Sequence, residues 1–186
     1  MRFVISGGGT AGHIYPAIAV GRQLQSMGHE VFFAGTPAGL EAKLVPEAGF
    51  PFEAFDVSGF NRSHPLTLVK SGMKALKGSS AAKKWLKSLG PDAVIGFGGY
   101  VSIPVGKGAA DMGIPLVIHE QNSACGMANK YLAPHAARIA LTYDVEIGRA
   151  TGRRSWSFPH WQAFSLRQEP RLPSQDPAQM SAHRTA

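Results

Sequence analysis

The run Ser6-Gly7-Gly8-Gly9-Thr10-Ala11-Gly12-His13, set directly behind the apolar Phe3-Val4-Ile5, constrains this chain more than any other stretch of it. Its glycines let the backbone reverse sharply with exposed N–H groups. Behind them Ala17, Val20, Leu24 and Met27 recur at helical spacing, which predicts a helix over Ile14–Met27 that Gly28 stops. A strand, a glycine turn and a helix N-terminus make an anion cradle, because unpaired amides and the helix dipole converge on one spot. A phosphate-bearing ligand is expected there.

The alternation continues along the chain. Strands are expected at Arg2–Ser6, Glu30–Gly35, Pro51–Val57, Asp92–Phe97, Pro115–Glu120 and Arg138–Thr142. Further helices are expected at Gly39–Glu47, Leu66–Leu89, Val101–Met112 and Gly126–Ala133. This pattern predicts an α/β fold with a Rossmann-like, doubly wound parallel sheet. With strand order 3-2-1-4-5, a ligand sits beyond the strand C-termini where the order reverses, between the first and fourth strands. The loop after the fourth strand is a second glycine turn, Gly96-Phe97-Gly98-Gly99-Tyr100-Val101-Ser102, and the loop after the fifth is His119-Glu120-Gln121-Asn122. Two amide-lined turns and a polar cluster should therefore meet at one crevice.

Gly7-x-Gly9-x-x-Gly12 also satisfies the dinucleotide fingerprint, which further requires an acid at the end of the second strand. Here that position reads Ala34-Gly35-Thr36-Pro37, with no carboxylate before Glu41 and no arginine for a 2′-phosphate, so no nicotinamide or flavin cofactor is expected. His13 opens the first helix inside the converging rim. It is the candidate catalytic base, since imidazole accepts a proton near neutral pH; the plainer alternative is a histidine that only hydrogen-bonds the turn. His119 and Glu120 are neighbours on a strand and face opposite ways, unlike the pair of a His-Glu-x-x-His site. No Asp-x-Asp occurs either, and no metal is expected. Sorting of sugar hydroxyls or local hydrogen bonding suits the two better. Tyr100, on a loop behind two glycines, is read as either a core ring or a ligand contact.

Charge bears on partners. Nineteen basic and twelve acidic residues among 186 leave a formal +7, which suits an anionic partner. Lys70, Lys74, Lys77, Lys83, Lys84 and Lys87 are interleaved with Leu66, Leu68, Val69, Met73, Leu76, Trp85 and Leu86. That is either a solvated helix face over the core or a footprint on anionic lipid. No nucleic-acid motif accompanies it, and no nucleic-acid partner is expected. A single cysteine, Cys125, excludes an internal disulfide and fits a reducing compartment. The apolar start is too short for a signal peptide, and no run approaches the roughly 18 residues of a membrane span.

Gly7–Ala17, Gly96–Ser102 and His119–Asn122, in that order and spacing, resemble the MurG family, bacterial N-acetylglucosaminyltransferases that convert lipid I to lipid II. The resemblance runs from Met1 to about Tyr143. It implies the N-terminal, acceptor-binding domain of a two-domain GT-B glycosyltransferase acting in peptidoglycan synthesis at the cytoplasmic face of the bacterial membrane. N-acetylglucosamine would pass from UDP-GlcNAc, with inversion, to the 4-hydroxyl of the muramoyl sugar of undecaprenyl-linked lipid I. The resemblance implies that the glycine turns, with Gly9, Gly98 and Gly99, hold the acceptor diphosphate, and that Thr10, Ala11, Gly12 and Asn122 contact the donor sugar. It assigns His13 an essential role, makes Tyr100, His119, Glu120 and Asn129 functional polar positions, and turns the basic stretch toward the membrane. Ala11 replaces a glycine common in the family, which requires an ordinary backbone angle there.

From Asp144 the composition changes, with two of the three tryptophans and no sustained period. Residues 1–143 are expected to form the domain, and 144–186 a disordered tail, read as a departure from the native frame in preference to a native flexible end. The donor-binding domain is expected to be missing, and a chain of this kind alone to be inactive. The rival reading is a non-catalytic module that docks on anionic lipid or a partner protein through its basic helix.

Overall fold

The computed structural model describes residues 1–57 and 79–143, together with the backbone of the strand Ser155–Ser157. Among the described residues seven strands, β1 (Arg2–Ser6), β2 (Glu30–Gly35), β3 (Phe52–Ala54), β4 (Ala93–Gly96), β5 (Leu116–Glu120), β6 (Arg138–Leu141) and β7 (Ser155–Ser157), form one sheet in the order β3-β2-β1-β4-β5-β6-β7. Every pairing is parallel. Helices α1 (Ala11–Ser26), α2 (Glu41–Glu47), α4 (Ser102–Asp111) and α5 (Met127–Leu132), with α3 described over residues 79–89, fill the crossovers.

The alternation of side chains along the central strands builds two cores. Val4, Val94, Leu116 and Ile118 pack with Ala82, Leu86, Val105 and Leu132 on the α3–α4–α5 face. Ile5 and Phe33 pack with Ile14, Ala17, Ile18 and Phe97 on the α1–α2 face. Strands covered on both faces read as unbroken apolar runs, which is why β1, β4 and β5 stand out in the sequence.

Strand order reverses beside β1 as expected, and the register sets Ser6 against Gly96. The chains leaving β1 and β4 thus emerge flush with one another. Differences from expectation lie at element ends. α1 begins at Ala11 and not Ile14, because Thr10 takes the extended N-cap conformation (φ −143°, ψ 152°). β3 keeps only three of its seven expected residues, limited by its pairing with Phe33–Gly35 of β2. The segment after Asp144, expected to be without structure, contributes β7, which takes up the open edge of β6. The rest of that segment, and Leu66–Gly78 of the expected basic helix, lie outside the described residues.

Candidate functional site

The two glycine turns touch. Gly8 donates its N–H to the carbonyl of Gly98 at 3.3 Å. Gly98 and Gly99 adopt φ +100° and +81°, and a Cβ on Gly99 would press into the Gly8 peptide, 3.0 Å from its carbon and 3.1 Å from its nitrogen. Only a residue without a side chain fits there.

This contact corrects one expectation about the cradle. Gly7 N–H is taken by Ala34 O at 3.4 Å, Gly8 N–H by Gly98, and Gly9 N–H by the Glu41 carboxylate at 3.2 Å. The amides without an acceptor among the described residues are instead those of Thr10, Ala11 and Gly12 at the start of α1, and of Gly98 through Val101 ahead of α4. The two turns in contact thus lead into helices of sixteen and ten residues, each with unpaired amides at its start. Ala11 has the ordinary angle its methyl requires, since no non-glycine residue described has a positive φ.

His13 lies in the first turn of α1. Its Nδ1 is 3.0 Å from Gly8 O and 3.0 Å from Thr10 Oγ1. A carbonyl only accepts, so in the neutral ring Nδ1 carries the proton and Nε2 keeps its lone pair. That Nε2 lies against Gly98, where an added Cβ would approach it to 3.0 Å. It faces a cleft of about 240 Å³ lined by His13, Gly98, Gly99, Tyr100, Glu120 and Asn129, among others. Tyr100 is half-exposed at its mouth.

Glu120, 1 % exposed, is the hub of the far wall. One oxygen accepts Asn122 N–H at 3.0 Å and Asn122 Nδ2 at 2.9 Å; the other accepts Gly126 N–H at 2.9 Å and Asn129 Nδ2 at 3.0 Å. Burial pushes its carboxyl up, but the Gly126 and Asn122 amides and the two asparagine side chains outweigh it and hold the group below the usual carboxylate range. A carboxylate so occupied organises its loop. Asn129, also 1 % exposed, donates its second Nδ2 hydrogen to His119 O, and its Oδ1 has no partner among the described residues.

His119 is not brought to this cleft. It projects from the other face of β5, where its ring packs 5.0 Å from that of Phe97 and lines a separate apolar hollow of about 260 Å³ with Val20, Ile95 and Val117. Burial lowers its pKa against the opposing effects of Gln121 and Glu120, so it is neutral at pH 7. Asn122 is exposed and tethered to Glu120.

Sequence reasoning missed Glu41, noting it only as too distant for a dinucleotide acid. It is 1 % exposed and accepts from Gly9 N–H, from Thr36 N–H at 3.0 Å and from Thr36 Oγ1 at 2.7 Å. Burial raises its pKa, and the Thr36 hydroxyl, the Thr36 amide, its own amide and the Gly9 amide lower it further than burial raises it. A Cβ on Gly8, Gly35 or Gly39 would collide with the Glu41 side chain. The signal was present in Gly35 and Gly39, the two glycines just ahead of the acid.

No three His, Cys, Asp or Glu side chains among the described residues are grouped to hold a metal, and no described helix is long and apolar enough to cross a membrane.

Comparison with known proteins matches residues 3–141 to the model of the glycosyltransferase family 28 N-terminal domain. A Bacillus cereus relative named UDP-N-acetylglucosamine--N-acetylmuramyl-(pentapeptide) pyrophosphoryl-undecaprenol N-acetylglucosamine transferase 1 is 45 % identical over 149 residues, which are 79 % of this chain and 41 % of the relative. A Limosilactobacillus fermentum relative of the same name, without the numeral, is 47 % identical over 147 residues, 78 % of this chain and 40 % of its own length. The crystal structure of Acinetobacter baumannii MurG superposes with a TM-score of 0.71 at 32 % identity, covering 84 % of this chain and 44 % of that one. The chain thus spans about two-fifths of the length of these curated relatives.

Proposed function

The chain belongs to the glycosyltransferase family 28 N-terminal domain family, and on that footing we propose that it supplies the acceptor-binding half of an inverting N-acetylglucosaminyltransferase of peptidoglycan synthesis. The donor is UDP-GlcNAc, and the acceptor is the 4-hydroxyl of the muramoyl sugar in undecaprenyl-linked lipid I, met at the cytoplasmic face of the membrane by peripheral contact. Activity belongs to the complete two-domain architecture.

One observation carries this reading: His13, from the first turn of α1, and the second glycine turn, Gly98 to Tyr100, line one cleft, and the turns that bring them there hold amides without an acceptor among the described residues. The amides of Thr10–Gly12 and Gly98–Val101 suit an acceptor diphosphate. His13 Nε2 takes the proton of the attacking hydroxyl as its oxygen bonds to the anomeric carbon. The bond from that carbon to the UDP oxygen breaks from the opposite side, and UDP leaves with the electron pair. The Nδ1–H bond to Gly8 O stabilises the imidazolium so formed. Asn122 and Tyr100 are suited to sugar hydroxyl and acetamido groups, with Asn129 buried behind them. Glu120 holds both asparagines. His119 acts from behind the strand and not as a direct contact.

The test is to join residues 1–143 to the complementary half of the B. cereus relative and measure transfer of labelled GlcNAc to a lipid I analogue. Transfer is expected, and His13→Ala should lower turnover by about 10²–10⁴-fold, as for loss of a general base. Near-normal turnover in that variant would remove His13 from the mechanism.

A further inference from the structure

Among the described residues, Glu41 is the one buried carboxylate that the proposed mechanism leaves without a task, and on charge alone it is misplaced. A negative group bonded to the turn that leads into the cradle repels the very anion the cradle is to hold. Its geometry gives a different account. The carboxylate binds three segments together: α2, on which it sits, Thr36 after β2, and Gly9 in the turn after β1. By drawing the Gly9 N–H to itself, it fixes the reversal at Gly9, where φ is +85°. Thr10 then enters its extended N-cap conformation, and the amides of Thr10, Ala11 and Gly12 are left without an acceptor among the described residues. On the near side of the same reversal, the Gly8 carbonyl is left to accept from His13 Nδ1.

We infer that Glu41 is a positioning residue, whose carboxylate locks the turn after β1 in the arrangement that leaves the Thr10–Gly12 amides free for an anion and sets His13 on the cleft beside them. The inference rests on the anion-binding reading of that cleft. The space around Glu41 fits this role: glycines at 8, 35 and 39 leave the carboxylate room to reach the turn, and any side chain at those positions would displace it.

Glu41→Gln separates positioning from its alternatives by sign. Glutamine has the same size but only one accepting oxygen, which goes to Thr36, where two donors converge; its amide then opposes the Gly9 N–H. Positioning predicts weaker anion binding although a negative charge has been removed. A purely electrostatic Glu41 predicts tighter binding, and a space-filling one predicts no change. The measurement is calorimetric titration of the full chain with inorganic pyrophosphate at pH 7, alongside ¹⁵N spectra of the histidine rings. E41Q is expected to lower pyrophosphate affinity about tenfold, the scale of a buried donor left unpaired, and to shift the His13 ring signals. Thr36→Val, which removes one of the three tethers, should move both readouts the same way by less, and it serves if E41Q does not fold. Equal or tighter binding by folded E41Q overturns the inference. If the unaltered chain takes up no pyrophosphate, the anion reading fails, and the ring signals decide alone: unchanged His13 signals in E41Q overturn the positioning role, and shifted ones uphold it.

Discussion

Replacing Gly99 by alanine sets the strain of a left-handed residue against the cost of forcing two loops apart. Gly9 and Gly99 have nearly the same φ, +85° and +81°. A Cβ at Gly9 meets nothing within 4 Å, whereas one at Gly99 meets the carbon, nitrogen and oxygen of the Gly8 peptide. Gly9→Ala therefore incurs conformational strain alone, about 1–2 kcal/mol. Gly99→Ala incurs the same strain and must also push the turns apart, breaking the Gly8 N–H bond to Gly98 O. The lost bond adds about 1 kcal/mol, and leaving a part-buried amide unpaired raises the total to about 3–4 kcal/mol. Urea unfolding of both variants, followed by tryptophan fluorescence and circular dichroism, measures the difference directly. Gly28→Ala, at φ +81° with open space around it, is the control remote from the site. Should Gly99→Ala cost no more than Gly9→Ala, the turns are not in contact, and the single cleft built from them is wrong.

Glu120→Gln should destabilise the chain by about 2–3 kcal/mol, because one oxygen cannot accept from Asn122, Gly126 and Asn129 together and a buried amide is left against other donors; thermal melts give the value. Acid should loosen the β5–α5 and β2–α2 loops first. Glu41 and Glu120 titrate below their ordinary 4.5 when folded, so the unfolded chain binds more protons, and their contribution is complete above that value and lost as pH falls through the lowered ones. His119, held below its ordinary 6.5, works in the same direction and begins the decline nearer neutrality. Urea midpoints that stay flat from pH 7 to pH 5 would contradict the His119 assignment, and midpoints that stay flat from pH 5 to pH 2 those of Glu41 and Glu120.

The sheet was legible because its central strands are apolar on both faces and each ends in a glycine or polar turn. The meeting of the two turns was legible for the same reason, once the order reversed between β1 and β4. What each amide does was not. Whether Gly8 N–H awaits a ligand or binds Gly98 depends on the Ser6–Gly96 register, a property of the assembled sheet. Glu41 reaches Gly9 across thirty-two positions of sequence, so no local pattern assigns that bond. Period-two alternation put His119 and Glu120 on opposite faces, but not which of them would face His13. The structure gives the cleft to Glu120 and the apolar hollow to His119.

The Gly8–Gly98 bond also divides what can vary from what cannot. Neither turn can move without the other, nor can Gly8 or Gly99 gain a side chain, and where they meet they offer a visitor almost nothing but peptide groups. A peptide lattice recognises charge and shape yet is indifferent to which sugar the charge is carried on. Discrimination must then be written in the side chains of the opposite wall, on α5 and the loop before it, and in Tyr100. Those positions could be rewritten for a new acceptor while the shared glycine floor stayed as it is.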